Sequence, residues 1–358
     1  MDNYSVDAVQ NEASMMRSKI AMYAMNAGDG PLSYARNSSY QRGVVDIAKR
    51  IIEQEIAAKL DAKPNASFNM ADFGCSTGHN SFPVMQFISS AIARNTKITP
   101  DMYVFFNDVT TNDFNTLFKS LPPERLYSAV GLPGDFHCRL LPESSLHFGY
   151  SSWSLQWLTA VPKAVKNKGR IFYAKDREDV CGAYLDQYTK DVGLFLESRA
   201  VEMVHGGLLA LLVPGVPEYW DPDKEYTIPS DLNLMGSCLV DMAKKGRFSE
   251  EKVDSFNLPF YFTTPQQLKD ILKRNRSFAV ERVEILDNPG KYSLSGVESR
   301  AAFFRAVHER MMTDHFGGGI IDELFDLYAK KLVASPVFIN PNNDRTIMIL
   351  AILKRVTN

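Results

Sequence analysis

The sequence is sparing with cysteine and histidine and has no excess of positive charge. Its four cysteines, Cys75, Cys138, Cys181 and Cys238, lie far apart with no Cys-x-x-Cys pair. That speaks against a zinc site or a disulfide framework and fits reduced thiols in a cytoplasmic setting. The six histidines are scattered, without a His-Glu-x-x-His pair. Lys plus Arg number 40 against 42 Asp plus Glu, a net charge of −2, so neutralisation of nucleic-acid phosphates finds no support. The longest apolar run, GGLLALLVPG at 206–215, falls well below the roughly 20 residues that span a bilayer. Its glycines and its Pro-Gly end mark a buried strand. The N-terminal stretch has no uninterrupted apolar segment, so no signal peptide is expected.

What is present is a globular composition. The 358 residues are 45% apolar and 23% charged, enough for a sizeable core in one large domain or two. After a polar leader over residues 1–24, Gln41–Leu60 has apolar residues near helical spacing: Val44, Val45, Ile47, Ala48, Ile51, Ile52, Ile56 and Leu60. Strand and helix patterns then alternate. Strands are expected at 67–75, 102–108, 128–136, 144–152 and 208–213, with helices at 80–93, 113–121 and 184–204. Such alternation predicts a parallel sheet covered on both faces. Helices at 237–245, 264–274, 300–316 and 320–333 follow, joined by proline-containing loops, with strands at 281–288 and 345–355. This assigns 25–215 and 280–358 to an α/β core and 216–340 to a helical cap, the boundary interleaved.

Four motifs carry chemistry. ADFGCSTGHN (71–80) is a strand, an Asp, a turn with Gly74 and Gly78, and a helix. Glycines let a ligand approach the backbone, and the carboxyl ends of parallel strands are where open α/β sheets bind. The pattern is G-x-x-x-G, which disfavours a dinucleotide loop, and it lacks the Lys and Ser/Thr of a P-loop. Asp108 ends the next strand and can accept from two ribose hydroxyls, or it is a solvated turn carboxylate. It lies 34 residues after Gly74, not the roughly 20 of a nicotinamide site. Asp135 and Phe136 in GLPGDFH could hydrogen-bond and stack on an adenine, or sit in an ordinary loop. Trp153, Gln156 and Trp157 share one face at a spacing of 3 and 4 residues, which favours a pocket with one polar handle.

Together, GPLSYARNSSYQ, MADFGCSTGHNSF, VFFNDVTTNDFNTLFKSLP, GLPGDFHCRLLPESSLHF, SSWSLQWLTAVP, AYLDQYTKD and DSFNLPFY resemble the SABATH methyltransferases of plants, in order, from about Met25 to Lys354. SAVGLPGDF, KGRIFY and SCLVDMAKKG are most similar to the loganate and farnesoate carboxyl methyltransferases of that family. The resemblance implies a Rossmann-like core with a helical cap, often as a homodimer. It also implies transfer of the methyl of S-adenosylmethionine (SAM), mostly to small carboxylates and in some members to xanthine nitrogens. Position by position it assigns Tyr34, Ser38, Asp72, Gly74, Asn80, Asp108, Val109, Asp135 and Phe136 to SAM. Asp135 departs from the usual Ser, and His79 from the usual Pro. Gln41 and Trp157 match the pair that anchors the carboxylate. Trp153, Gln156, Tyr261, Phe304 and Val307 match the pocket wall, Gln156 favouring a substrate with an extra oxygen. His308, beside Phe304 and Val307, either reaches the pocket or is framework. Some members hold magnesium near the equivalents of Asp254, Phe256 and Asn257. Here the completing Asn has no clear match in YAKDRED (173–179); either Lys175 replaces the cation or no ion binds, and no metal is expected, a bound one being structural.

A carboxylic acid has a pKa of about 4 and is already ionised at neutral pH, so this chemistry needs positioning and not a general base. N-methylation of a purine or other alkaloid is the alternative, and a SAM-binding protein without catalysis a further one. A nicotinamide oxidoreductase is disfavoured by the glycine spacing and by the lack of a Tyr-x-x-x-Lys or His–acid pair. The WDPDKEYTIPSDLNLM stretch (220–235) joins core to cap and is where specificity is expected.

Overall fold

The computed structural model describes residues 24–61, 67–96, 101–162, 167–173 and 177–356. Its core is a seven-stranded sheet built from β1 (Ser67–Phe73), β2 (Asp101–Asp108), β3 (Ser128–Pro133), β4 (Leu146–Ser152), β5 (Met203–Gly215), β6 (Phe278–Leu286) and β7 (Ile347–Arg355). The order is β3-β2-β1-β4-β5-β7-β6. The first five strands run parallel, and β7 lies antiparallel between β5 and β6. The parallel strands have helices on both faces, so β5 is a continuous run of Leu, Ala and Val, buried from Leu208 through Val213. Strand order reverses between β1 and β4, and a crevice opens there at the carboxyl ends, where open α/β sheets bind ligands.

Helix α1 (Ser39–Lys59) and helix α2 (Ser81–Thr96) cover one face. The apolar stripe of α1 is buried from Val44 to Ile56, except that Ile47 turns outward at 37% exposure. A short α3 (Phe114–Lys119) starts on an Asp113 cap that accepts from the Thr116 N–H. The other face is covered by α4 (Glu178–Glu202), which begins and ends earlier than the pattern suggested because Met203 already pairs with Leu146 in the sheet.

The chain between β5 and β6 forms α5 (Ile228–Lys244), α6 (Glu250–Asp254) and α7 (Pro265–Arg274), and α8 (Val297–Phe316) and α9 (Ile321–Val333) precede β7. Helix α5 starts well before Ser237 because Thr227 and Ser230 make a capping box that spans Pro229 in the first turn. Helices α5, α8 and α9 share a separate hydrophobic cluster, whereas Leu268, Ile271 and Leu272 of α7 belong to the sheet's own cluster. At the centre of the helical layer the fully buried Arg300 forks onto Asp231, with Nε–Oδ1 and Nη2–Oδ2 both 2.8 Å. The Tyr328 hydroxyl adds a third bond to that carboxylate at 2.8 Å.

Candidate active site

Strand β1 ends in a turn that only glycine can make. Gly74 has φ +89°, and a Cβ there would lie 1.9 Å from the Ser154 Oγ. The next strand end locks this turn. The Gly74 and Cys75 N–H groups both donate to the Asn107 carbonyl at 2.9 Å. The Ser76 N–H donates to one oxygen of Asp108 at 2.7 Å and the Val109 N–H to the other at 2.8 Å. Burial nonetheless pushes Asp108 up to about 6, against those two hydrogen bonds. Asp72, 2% exposed, is pushed up to about 7 by burial, with the Ser81 hydroxyl opposing and the charge of Asp108 adding. Its Oδ2 is buried with no partner. A buried carboxylate with an open oxygen fits a ligand that brings positive charge or donors.

The loop after β3 carries Asp135 and Phe136. Burial raises Asp135, but the hydrogen bonds from His137 outweigh it and hold the carboxyl low. The His137 Nδ1 and backbone N–H both lie on Asp135 Oδ1, at 2.8 and 3.0 Å, and Oδ2 stays unpaired. Two residues that the sequence reading missed shape this loop. Arg199 of α4 donates to the carbonyls of Phe136 and Cys138 at 2.7 and 2.9 Å. Asn107 donates to the carbonyls of Leu132 and Gly134 at 2.7 and 3.0 Å. Only the adjacency of Asn107 to Asp108 hinted at the second.

Three cavities meet at Tyr34 and Trp153. One of about 750 Å³ is walled by Gly74, Asp108, Val109, Asp135 and Phe136. One of about 460 Å³ is walled by Asp72, Gly74 and Asn80. One of about 440 Å³ is walled by Gln41, Gln156, Trp157, Phe304 and Val307. Tyr34 and Trp153 line all three. Trp153 has φ +56°, a strained backbone for a bulky residue. Ser38 is buried behind this wall, where its Oγ accepts from Asn80 Nδ2 at 3.0 Å.

The third cavity differs in kind from the other two. None of its lining residues is Lys, Arg, Asp or Glu. Gln41 is 6% exposed and its amide oxygen has no partner. Gln156 donates Nε2 to the Trp153 carbonyl at 2.8 Å, leaving its own oxygen unpaired. Tyr261, expected on this wall, is not there. Leu158 N–H donates to the Pro259 carbonyl and Tyr261 N–H to the Gln156 carbonyl, both at 2.8 Å, so the two segments run side by side. Extended chain alternates its side chains. Phe260 and Phe262 therefore face the cavity. Tyr261 turns away onto Tyr173 and Tyr188, its hydroxyl donating to Gln267.

Beside Asp254 and Asn257 the fold places Asn167, which the sequence reading did not single out. Its Nδ2 donates to Asn257 Oδ1 at 3.1 Å and its own Oδ1 is buried and unpaired. Its only sequence cue is its place directly before KGRIFY, a phrase that does not include it. Asp254 accepts from the Gly169 N–H at 2.7 Å. These are oxygen donors of the type magnesium takes, although the described residues contain no cluster of three His, Cys, Asp or Glu. Lys175 lies outside the described residues.

Comparison with known proteins shows the family. The family model described as SAM dependent carboxyl methyltransferase matches residues 21–356. Loganic acid O-methyltransferase of Catharanthus roseus is 39% identical over 92% of this chain and 92% of its own. Farnesoic acid carboxyl-O-methyltransferase of Arabidopsis thaliana is 37% identical over 86% of this chain and 92% of its own. The solved structure of loganic acid methyltransferase with SAH superposes with a TM-score of 0.88 at 38% identity, covering 93% of this chain and 99% of that one. The model match over nearly the whole chain and the identity to these relatives show that the chain belongs to the family of SAM-dependent carboxyl methyltransferases.

Proposed function

We propose that the methyl acceptor is a small acid with a single carboxylate, anchored by the Gln41 amide and the Trp157 indole N–H. The observation that carries this is the third cavity: no charged side chain lines it, and the amide of Gln41 sits in it with its oxygen unpaired. One anion entering a neutral cavity needs oriented donors, which an amide and an indole supply. When bound, SAM supplies an activated methyl on a cationic sulfur. Asp72 would face the cationic methionine end, Asp108 the ribose and Asp135 with Phe136 the adenine. Trp153 and Tyr34, common to the three cavities, would hold donor and acceptor in line and exclude water. No side chain is asked to remove a proton, because the acid arrives ionised. The helices over 228–254 and 297–333 would act as the acceptor's cap. We assign the protein to the cytoplasm as a homodimer on the family resemblance, and sedimentation of the purified chain tests the dimer.

A neutral purine would also enter a cavity without charge, so N-methylation is the second reading. Incubation with methyl-labelled SAM and a panel of aromatic acids, terpenoid acids, monoterpenoid glucoside acids and xanthines separates the two. Mild base releases the label from a methyl ester as methanol and leaves an N-methyl group in place. For the best acid, Gln41→Ala and Trp157→Phe are expected to lower kcat/KM by about 10²-fold or more, the effect of losing one oriented donor. A base-stable product, or unchanged turnover in both variants, overturns the assignment.

A further inference from the structure

His308 belongs to α8, one residue beyond Val307, and is 3% exposed. Its Nδ1 lies 2.8 Å from the Phe304 carbonyl, one turn back on the same helix. A carbonyl only accepts, so Nδ1 carries the proton and Nε2 is left as a bare acceptor. The ring is fixed on two sides: it stacks on Phe304 at 5.6 Å and 12°, and meets Phe260 edge-on at 5.6 Å. Burial lowers the imidazole to about 4, which keeps it neutral at any working pH. Among the described residues no donor reaches Nε2, and His308 lines the same cavity as Gln41 and Trp157.

A second acceptor faces this space from the core. The amide of Gln156 is oriented by its bond to the Trp153 carbonyl, so the oxygen is what it offers, and that oxygen is unpaired. The cavity thus presents an imidazole nitrogen and an amide oxygen beyond the anchoring pair. A carboxylate has no proton to give either of them. A buried acceptor left without a donor weakens whatever is bound around it. Apolar rings from Phe260, Phe262 and Phe303 fill the remaining wall.

We infer that the methyl-accepting acid carries a hydroxyl group on the part of its skeleton remote from the carboxylate, and that His308 Nε2 accepts from it, with Gln156 Oε1 as the neighbouring acceptor. The inference deepens the proposed carboxylate reading and rests on it for the position of the acid. His308 is then a specificity residue. It rejects the deoxy analogue because an unpaired nitrogen would be buried against a methylene or a ring C–H.

The test compares matched pairs on the full chain loaded with S-adenosylhomocysteine: 4-hydroxycinnamate against cinnamate, and 10-hydroxydecanoate against decanoate. Calorimetric titration gives the ratio of Kd values within each pair. The expected result is a preference of about tenfold or more for the hydroxylated member of at least one pair. In both His308→Leu and His308→Phe that ratio falls to within about twofold of unity. In His308→Gln most of it survives, because the new amide can donate to the Phe304 carbonyl and still accept from the ligand. Equal binding within both pairs, or a preference that survives both apolar substitutions, overturns the inference. Assaying the same acids with methyl-labelled SAM keeps the two readings apart. A base-labile ester formed without any hydroxyl preference removes this inference alone. A His308-dependent hydroxyl preference accompanied by a base-stable product removes the carboxylate reading and leaves His308 as an acceptor.

Discussion

Asp72 should make donor binding release a proton. Its carboxyl stands at about 7 against an ordinary 3.8, mainly through burial. A shift of about three units means that ionising it in the empty site costs roughly 4 kcal/mol more than in water. A cation docked against the unpaired Oδ2 offsets that cost and returns the group toward its ordinary value. Below pH 7 the empty site holds a proton that binding must expel, so the apparent Kd for SAM should rise toward tenfold per pH unit between 7 and 6, and be flat above 8. Asp108, at about 6, adds to the release only at the acid end. The same shift sets the stability of the empty protein. Its folded pKa lies above its unfolded one, so between about pH 4 and 7 the native state binds more protons. The contribution of Asp72 is therefore present below about 4 and is lost as pH rises to 7. Titration calorimetry in two buffers of different ionisation heat measures the effect directly: close to one proton released per SAM at pH 6, close to none at pH 8. Asp72→Asn should weaken binding about 10- to 100-fold at pH 8, the loss of a charge-assisted contact, and flatten most of the pH dependence. A wild-type Kd constant from pH 8 to 6 with no proton released would refute the assignment of Asp72 to the cationic end of the donor.

Three further outcomes follow from the packing. Gly74→Ala forces a Cβ onto the Ser154 Oγ at φ +89°; strain of order 1–3 kcal/mol plus the clash should abolish measurable S-adenosylhomocysteine binding in titration while far-UV circular dichroism stays native. Asp231→Ala strands the buried guanidinium of Arg300 and the Tyr328 hydroxyl; urea unfolding should show a loss of about 3–5 kcal/mol, and a loss below 1 kcal/mol would mean that water or another side chain replaces the carboxylate. Arg199→Met removes the donors to the Phe136 and Cys138 carbonyls and leaves Glu202 buried without its partner; stability should fall and the Kd for S-adenosylhomocysteine rise together, and a change in stability alone would detach Arg199 from the loop proposed to hold the adenine.

Local pattern carried the sequence reading far where a single segment decides the outcome. The stripe Val44–Ile56, the apolar run Leu208–Val213 and the glycines flanking Cys75 each state their structure within a few residues. The strand-end acids Asp72 and Asp108 were legible because a parallel sheet delivers every strand's carboxyl end to one edge. What stayed hidden depends on partners far along the chain. Tyr261 turns away from the cavity because 259–261 lies alongside 156–158, a register that no periodicity within FNLPFYFTTP reveals. Asn167 and Asn257 are 90 residues apart in sequence and meet only in the fold. The early start of α5 was readable from Thr227, Pro229 and Ser230, a cap that was overlooked. That Tyr34 and Trp153 wall three cavities follows from residues far apart in the chain, from Met25 to His308, converging on them, which neither residue's neighbours encode.

The distribution of charge around that common wall has its own chemical logic. Around the two cavities proposed to take the donor lie Asp72, Asp108 and Asp135, all largely withdrawn from solvent. The third cavity, proposed for the acceptor, is lined by amides, indoles and a neutral imidazole. A lysine or arginine in the acceptor cavity would bind a carboxylate more tightly, but it would hold the ground state at least as firmly as the transition state, in which the carboxylate loses charge as the ester forms. Tight ground-state binding of that kind lowers KM without raising kcat. With neutral donors only, the strongest positive partner left for the acid is the donor's own sulfonium, and the two charges disappear together as the methyl moves. Introducing a cation should therefore separate the two kinetic constants. Gln41→Lys is expected to lower the Kd for the acid while lowering kcat, and a variant that gained in both would show that the neutrality of this cavity serves specificity and not the methyl-transfer step.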